Sequence, residues 1–201
     1  MRWYEAMRRL ILHMMMSLDG YVASIDHSED WMVAPDHERD AASLATARAC
    51  DAAMAAHSSN QDMVGYWPTA SGDTPDQRAY IERVNQMPKI VVGHSGPSDL
   101  GWANSTALVT SEADLPKDIS ALKQQDGGDI VVWGGASLAR QLTRHELIDE
   151  YQLFIEPVAL GGGDPLFTDA DGWTRLRLLD AAAFQTGAIL ARYVTGESAA
   201  K

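Results

Sequence analysis

Short apolar runs alternate along this chain with polar or alanine-rich stretches, and the alternation predicts an α/β domain. Arg9–Met16 reads as a first strand, and Gly20–Ala23 as a turn into a short second one. Asp36–Cys50, alanine-rich and poor in breakers, predicts a helix, as does Pro75–Gln86. Further strands are expected at Asp51–Ala56, Lys89–Val92, Thr106–Thr110, Ile130–Trp133, Tyr151–Val158, Leu176–Ala181 and Ala188–Val194. Gly65–Pro75 and Gly93–Asn104 carry most of the Gly, Pro and Ser and read as loops; in the first, Tyr66-Trp67-Pro68 reads as a hydrophobic anchor for the loop or as a wall of the pocket. There is no internal repeat, low-complexity tract or linker, so one domain is expected over residues 9–195, with 1–8 an N-terminal extension and 196–201 a C-terminal tail.

The stretch DIVVWGGASLARQLTRHELIDEYQLFIEPVALGGGDPLF, residues 129–167, is the most informative. Its apolar run ends in Gly134-Gly135, which have no side chains to obstruct a ligand, and Ala136–Leu147 then reads as a helix. The first turn of that helix would aim unpaired backbone N–H groups, with Ser137 as an extra donor, at whatever lies over the glycines. A phosphate suits such a place. A tight turn closing a β-α unit accounts for the same residues without a ligand. Beyond the helix, Asp149-Glu150 marks a junction, and Gly161–Phe167 is a glycine-dense loop returning to an apolar anchor.

Taken with MMMSLDGYVA at 14–23 and Trp31, the elements GGASLA, LIDEY and PVALGGGDPLF resemble the dihydrofolate reductase-like family that includes the reductase domain of bifunctional riboflavin-biosynthesis deaminase/reductases. The resemblance runs from about Arg9 to Tyr193. It implies a mixed, mostly parallel central sheet flanked by helices, closed by an antiparallel C-terminal hairpin. It also implies NADPH as cofactor, a small heterocyclic substrate of pterin or pyrimidine type, and a homodimer, for which Leu147–Pro157 is the expected contact region.

The same resemblance distributes the site residues. Gly134, Gly135, Ala136, Ser137 and Leu138 would hold the cofactor, and Met16, Ser17, Asp19 and Trp31 would border the substrate. Asp19 precedes a glycine and is also ordinary turn chemistry. In dihydrofolate reductases a tryptophan after the first strand is followed five residues later by the acid that helps protonate the ring; here Trp31 is followed at that spacing by Asp36. Asp36 is therefore the expected catalytic carboxylate, although an acidic helix start needs no catalytic role.

This chain departs from its relatives at the phosphate anchors. Family members carry Gly-Arg-x-Thr-Tyr-like and Ser-Arg/Lys-Thr sequences after the two central strands. Here Ala56-His57-Ser58-Ser59-Asn60 and Gly93-His94-Ser95 stand instead, so both expected cations are histidines. His57, Ser59, Gly93, His94 and Ser95 remain the expected anchors, and protonation on phosphate binding would recover part of the lost charge. The substitutions also open a second reading, in which the scaffold keeps its pocket and serves as a non-redox enzyme or a small-molecule-binding protein.

Composition narrows the classes. The chain has 201 residues, 46% of them hydrophobic, and a formal net charge of −12, which argues against nucleic acid as a partner. No apolar run is long enough for a membrane span, and Cys50 is the only cysteine, so a reducing cytoplasm is expected. The six histidines are scattered singly, and no metal site is expected.

Overall fold

The first apolar run becomes β1 (Leu10–Ser17), an interior strand covered on both faces. The computed structural model describes residues 7–34, 37–96, 100–168 and 173–195. On one side β1 pairs in parallel with β6 (Asp129–Gly134), and on the other with β7 (Glu150–Glu156). Beyond β6 lie β3 (Cys50–Ala56), β4 (Lys89–Gly93) and β5 (Ser105–Val109), all parallel. Beyond β7 the direction reverses, and β10 (Ile189–Thr195) and β9 (Leu176–Ala183) form the antiparallel C-terminal hairpin. The order of the eight strands is β5-β4-β3-β6-β1-β7-β10-β9.

The period of two along β1 sorts the helices. Leu10, Leu12, Met14 and Met16 point to the face packed by Leu115, Ile119 and Leu122 of α4 (Leu115–Lys123) and by Leu138 and Leu142 of α5 (Ala136–Arg144). Ile11 joins the smaller cluster on the other face with Ala53, Met87 and Val131. That face is covered by α1 (His37–Ala49) and α3 (Pro75–Gln86), which pack on each other. The start of α3 is well specified: Thr74 and Gln77 form a reciprocal capping box, and Pro75 occupies the first helical turn.

Two helices were not anticipated. The sequence of α2 (His57–Tyr66) is mostly polar and only Asn60 is buried, so it shows no apolar stripe, and its last residue is the Tyr66 that was read as a loop anchor. The other is α4, whose Leu115, Ile119 and Leu122 do fall at helical spacing. The expected dimer contact at Leu147–Pro157 needs correction as well. Most of that segment is β7, which lies between β1 and β10 with Tyr151, Leu153 and Phe154 buried, so this chain's own sheet already occupies it.

A polar network sits under α1. The Gln152 side-chain oxygen accepts from Thr46 Oγ1 at 2.6 Å and lies 3.2 Å from His13 Nδ1, which places the imidazole proton on Nδ1 and leaves Nε2 facing Ser43 Oγ at 3.4 Å. Burial, opposed by the Gln152 hydrogen bond and reinforced by Arg39, pushes His13 down to about 4. The unfolded chain binds this proton near pH 6.5 and the folded chain does not, so the contribution is intact above that value and is lost as pH falls toward 4. The shift corresponds to about 3 kcal/mol. His13→Gln should flatten this part of the curve of urea midpoint against pH; curves that stay parallel would remove His13 from the account.

Candidate active site

Two cavities open at opposite ends of α2. The first, of about 480 Å³, lies where β3, β4 and β5 end. Ala56 is the N-cap of α2 and Gly135 that of α5, and neither supplies a side-chain hydrogen bond to the helix start, so both N-termini keep unpaired N–H groups. His57 and Ser58 from α2, His94 and Ser95 after β4, and Ser137 and Leu138 from α5 share the cavity wall. Gly93 is there because a Cβ at that position would come within 3.0 Å of His57 Cβ. His94 Nδ1 lies 3.1 Å from the Thr110 carbonyl, so it is the donor in that contact and Nε2 is left for a ligand. None of the described lining side chains is Lys or Arg.

Several residues of the glycine turn stand outside this wall. A Cβ on Gly135, whose φ is +91°, would fall 2.3 Å from Ala56 Cβ, and one on Gly134 would fall 2.8 Å from Met63 Cε. The Cβ direction of each glycine is therefore filled, by Ala56 beside Gly135 and by Met63 of α2 beside Gly134, where the sequence suggests room for a phosphate. Ser59 packs against the same turn, and Ala136 against the core.

The second cavity, of about 530 Å³, lies on the α1/α3 face. Met15 lines it, while Met16 points to the opposite face, as the strand period requires. Tyr66 and Trp67 at the end of α2, Tyr80 on α3, and Arg39 and Asp40 on α1 complete much of the wall. Trp67 and Tyr80 meet edge to face at 5.5 Å, and Tyr80 meets Trp133 likewise at 6.3 Å. Burial, and then the charge of Asp40, raise the Tyr80 hydroxyl above its ordinary value, so it remains a protonated donor.

Asp40 is 8% exposed, and its Oδ2 accepts from Gln77 Nε2 at 2.7 Å. Gln77 cannot turn its amide round, because its Oε1 already accepts from the backbone N–H of Asp73 at 2.8 Å and of Thr74 at 3.3 Å. Arg39 is committed to Glu156, with Nη1 3.1 Å from Oε1, and the same nitrogen donates to the Val33 carbonyl at 3.0 Å. The Val33 N–H in turn donates to Glu156 Oε2 at 3.2 Å. This pair thus ties the segment before α1 to the end of β7.

The other expected substrate residues fall elsewhere. Ser17 is fully buried, donates to Asp19 Oδ1 at 2.6 Å and accepts from the Tyr21 N–H at 3.0 Å. The Asp19 carboxylate also accepts from the backbone of Leu160 at 3.0 Å and Gly161 at 2.7 Å. Ser17 first, then those amides, draw Asp19 down to about 2, so it is a permanent anion holding the glycine-rich loop. That loop returns through the pairing of β2 (Tyr21–Ala23) with β8 (Asp164–Pro165), where a Cβ on Gly163 would collide with the Ala23 carbonyl oxygen at 2.0 Å. Trp31 is half-buried and does not line the cavity, although Met32 and Val33 do. Asp36 lies outside the described residues.

Arg39, Asp40, Gln77 and Tyr80 carried no sequence signal of a site. Arg39 and Asp40 fall within the alanine-rich stretch that predicts a helix and nothing more. Thr74 and Gln77 form the capping box at the start of α3, and that cap fixes the amide that holds Asp40.

The sequence profile of the RibD C-terminal domain family matches residues 8–190. The chain belongs to that family. It is 25% identical over 182 residues to the uncharacterized protein YyaP of Bacillus subtilis, covering 90% of this chain and 92% of that one. A putative riboflavin biosynthesis protein from Shewanella sp. PV-4 has the same fold, with a TM-score of 0.69, 20% identity, and coverage of 94% of this chain and 99% of the other. So does a Thermotoga maritima protein named as a deaminase and 5-amino-6-(5-phosphoribosylamino)uracil reductase, with a TM-score of 0.63 at 13% identity over 94% of this chain. The matched region is 57% of the Thermotoga chain. Among the described residues no helix is long and apolar enough to cross a membrane.

Proposed function

We propose that this member of the RibD C-terminal domain family is a reductase that uses a nicotinamide nucleotide, with NADPH as the expected cofactor and a pyrimidine-like heterocycle as substrate. The observation that carries the reading is the placement of two cavities at the two ends of one ten-residue helix, α2, about 14 Å apart along its axis. One is built for an anion, from two uncapped helix starts, the hydroxyls of Ser58, Ser95 and Ser137, and two imidazoles. The other is built for a flat ring, from Met15, Trp67 and Tyr80 with the carboxylate of Asp40 among them.

The cofactor, when bound, supplies hydride; the chain's own contribution is orientation and charge placement. His57, His94 and Ser137 would hold phosphate oxygens. Gln77 keeps Asp40 facing the ring, and the Tyr80 hydroxyl, with no hydrogen-bond partner among the described residues, offers a donor to a ring heteroatom. The lack of Lys and Arg in the described anion cavity favours the second reading, a diverged scaffold that no longer transfers hydride.

Fluorescence titration with NADPH and NADH separates the two. On the reductase reading the wild type binds NADPH, but weakly, since an imidazole is a poorer phosphate partner than a guanidinium. His57→Arg with His94→Arg should tighten NADPH by about 1.5–3 kcal/mol per restored contact, and NADH much less. No binding of either nucleotide by wild type or variant at any pH would sink the reductase reading.

A further inference from the structure

We propose that the α1/α3 cavity selects an unphosphorylated heterocycle, neutral or cationic, that presents N–H donors, and that Asp40 is the residue that makes the choice. The inference rests on the reading of this cavity as the substrate site. It separates this chain from a relative whose named substrate carries a phosphoribosyl group.

The charge of the wall is the first observation. Glu29, Asp40 and Asp73 line the cavity, and the only cation among its described lining residues is Arg39. Arg39 and Glu156 are both buried, with side chains 5% and 0% exposed, and they neutralise each other. A phosphate monoester, with a charge of about −1.5 to −2 at neutral pH, would meet three carboxylates here and no uncommitted cation. Moving the guanidinium to the phosphate would strand Glu156 as a buried anion.

The second observation is the state of Asp40 itself. More than nine-tenths of the residue is buried, Oδ2 is held by Gln77, and Oδ1 has no hydrogen-bond donor among the described residues. Asp40 lines the cavity, which is where a donor on a bound ligand would meet it. A buried carboxylate half-satisfied in this way favours a ligand that brings N–H groups and disfavours one that brings another anion. Met15 and Met32 give the ring an apolar seat, and Trp67 with Tyr80 give it aromatic walls.

Cytidine and cytidine 5′-monophosphate are a matched probe pair, one flat amino-bearing ring with and without the phosphate. Their binding to the full-length ¹⁵N-labelled protein is followed at the Trp67 indole N–H, which reports this cavity and not the distant anion site. Cytidine should bind at least about tenfold more tightly than its monophosphate. Asp40→Asn should bring the two within about twofold of each other, by weakening cytidine and relieving the phosphate. Glu29→Gln with Asp73→Asn, both at exposed positions, should narrow the gap in part without touching the buried network. A monophosphate that binds at Trp67 as tightly as cytidine, a silent Trp67 with both probes, or an unchanged ratio in both variants would each overturn the proposal. NADPH titrated into the same sample and followed near His57 and His94 tests the reductase reading separately, since cytidine selectivity without any nucleotide response would fail that reading alone.

Discussion

Gly135→Val should unfold this protein more readily by about 3 kcal/mol or more, and should do so before any effect on a ligand is reached. A Cβ at Gly135 would lie 2.3 Å from Ala56 Cβ and 3.5 Å from Ala56 Cα, in a backbone conformation at φ +91° that L side chains rarely adopt. The collision is with the last residue of β3, an interior strand followed at once by α2, so little of the surroundings can yield. Gly135→Ala should show most of the loss, because the first carbon already collides. Ala56→Gly combined with Gly135→Ala should recover the part due to contact and leave the part due to φ. Urea denaturation of the four proteins measures both terms. An unchanged midpoint for Gly135→Val would mean that the β3-α2 junction moves freely, and the expectation that this glycine makes room for a phosphate would regain its footing.

That glycine shows how far the sequence could be read. Alternation of apolar and polar residues is a signal about burial, so the strands of a sheet covered on both faces were legible to within a few residues, as was the capped α3. The same signal fails where burial is slight. Helix α2 buries only Asn60 and gives no stripe, yet it separates the two cavities and its Met63 fills the Cβ direction of Gly134. Of the residues expected to anchor a phosphate, His57, His94, Ser95 and Ser137 share one cavity wall, while Gly134 and Gly135 stand outside it. Which of the glycines face a ligand and which face another helix depends on contacts between residues far apart in the chain, such as Ala56 with Gly135. Pattern along the chain does not encode these.

The α1/α3 cavity was less legible for a related reason. Arg39 and Asp40 are charged residues in a helix that reads as solvated, and what buries them is the approach of α3 and of the segment around Val33. Conversely Ser17, Asp19 and Trp31 were brought forward by the family resemblance. Two of the three serve the loop architecture, through the hydrogen bonds from Leu160, Gly161 and Tyr21.

Arg39→Met should cost about 3–5 kcal/mol, the range for breaking a buried ion pair by removing one partner, because Glu156 would be left at 0% exposure without its countercharge. The guanidinium also lies 5.3 Å above the Phe154 ring and donates to the Val33 carbonyl, so its packing is lost along with its charge. Arg39→Met with Glu156→Gln should be much less destabilised than the sum of the single variants. The difference in a double-mutant cycle measures the pair directly. Additivity within about 0.5 kcal/mol would show that the two side chains are held apart by solvent and that the neutrality assumed for the cavity wall is wrong. If the double variant folds and still prefers cytidine to its monophosphate, the selection lies with the carboxylates of the wall; if it binds both alike, the buried pair was holding Val33 and its neighbours in the shape that makes Asp40 selective.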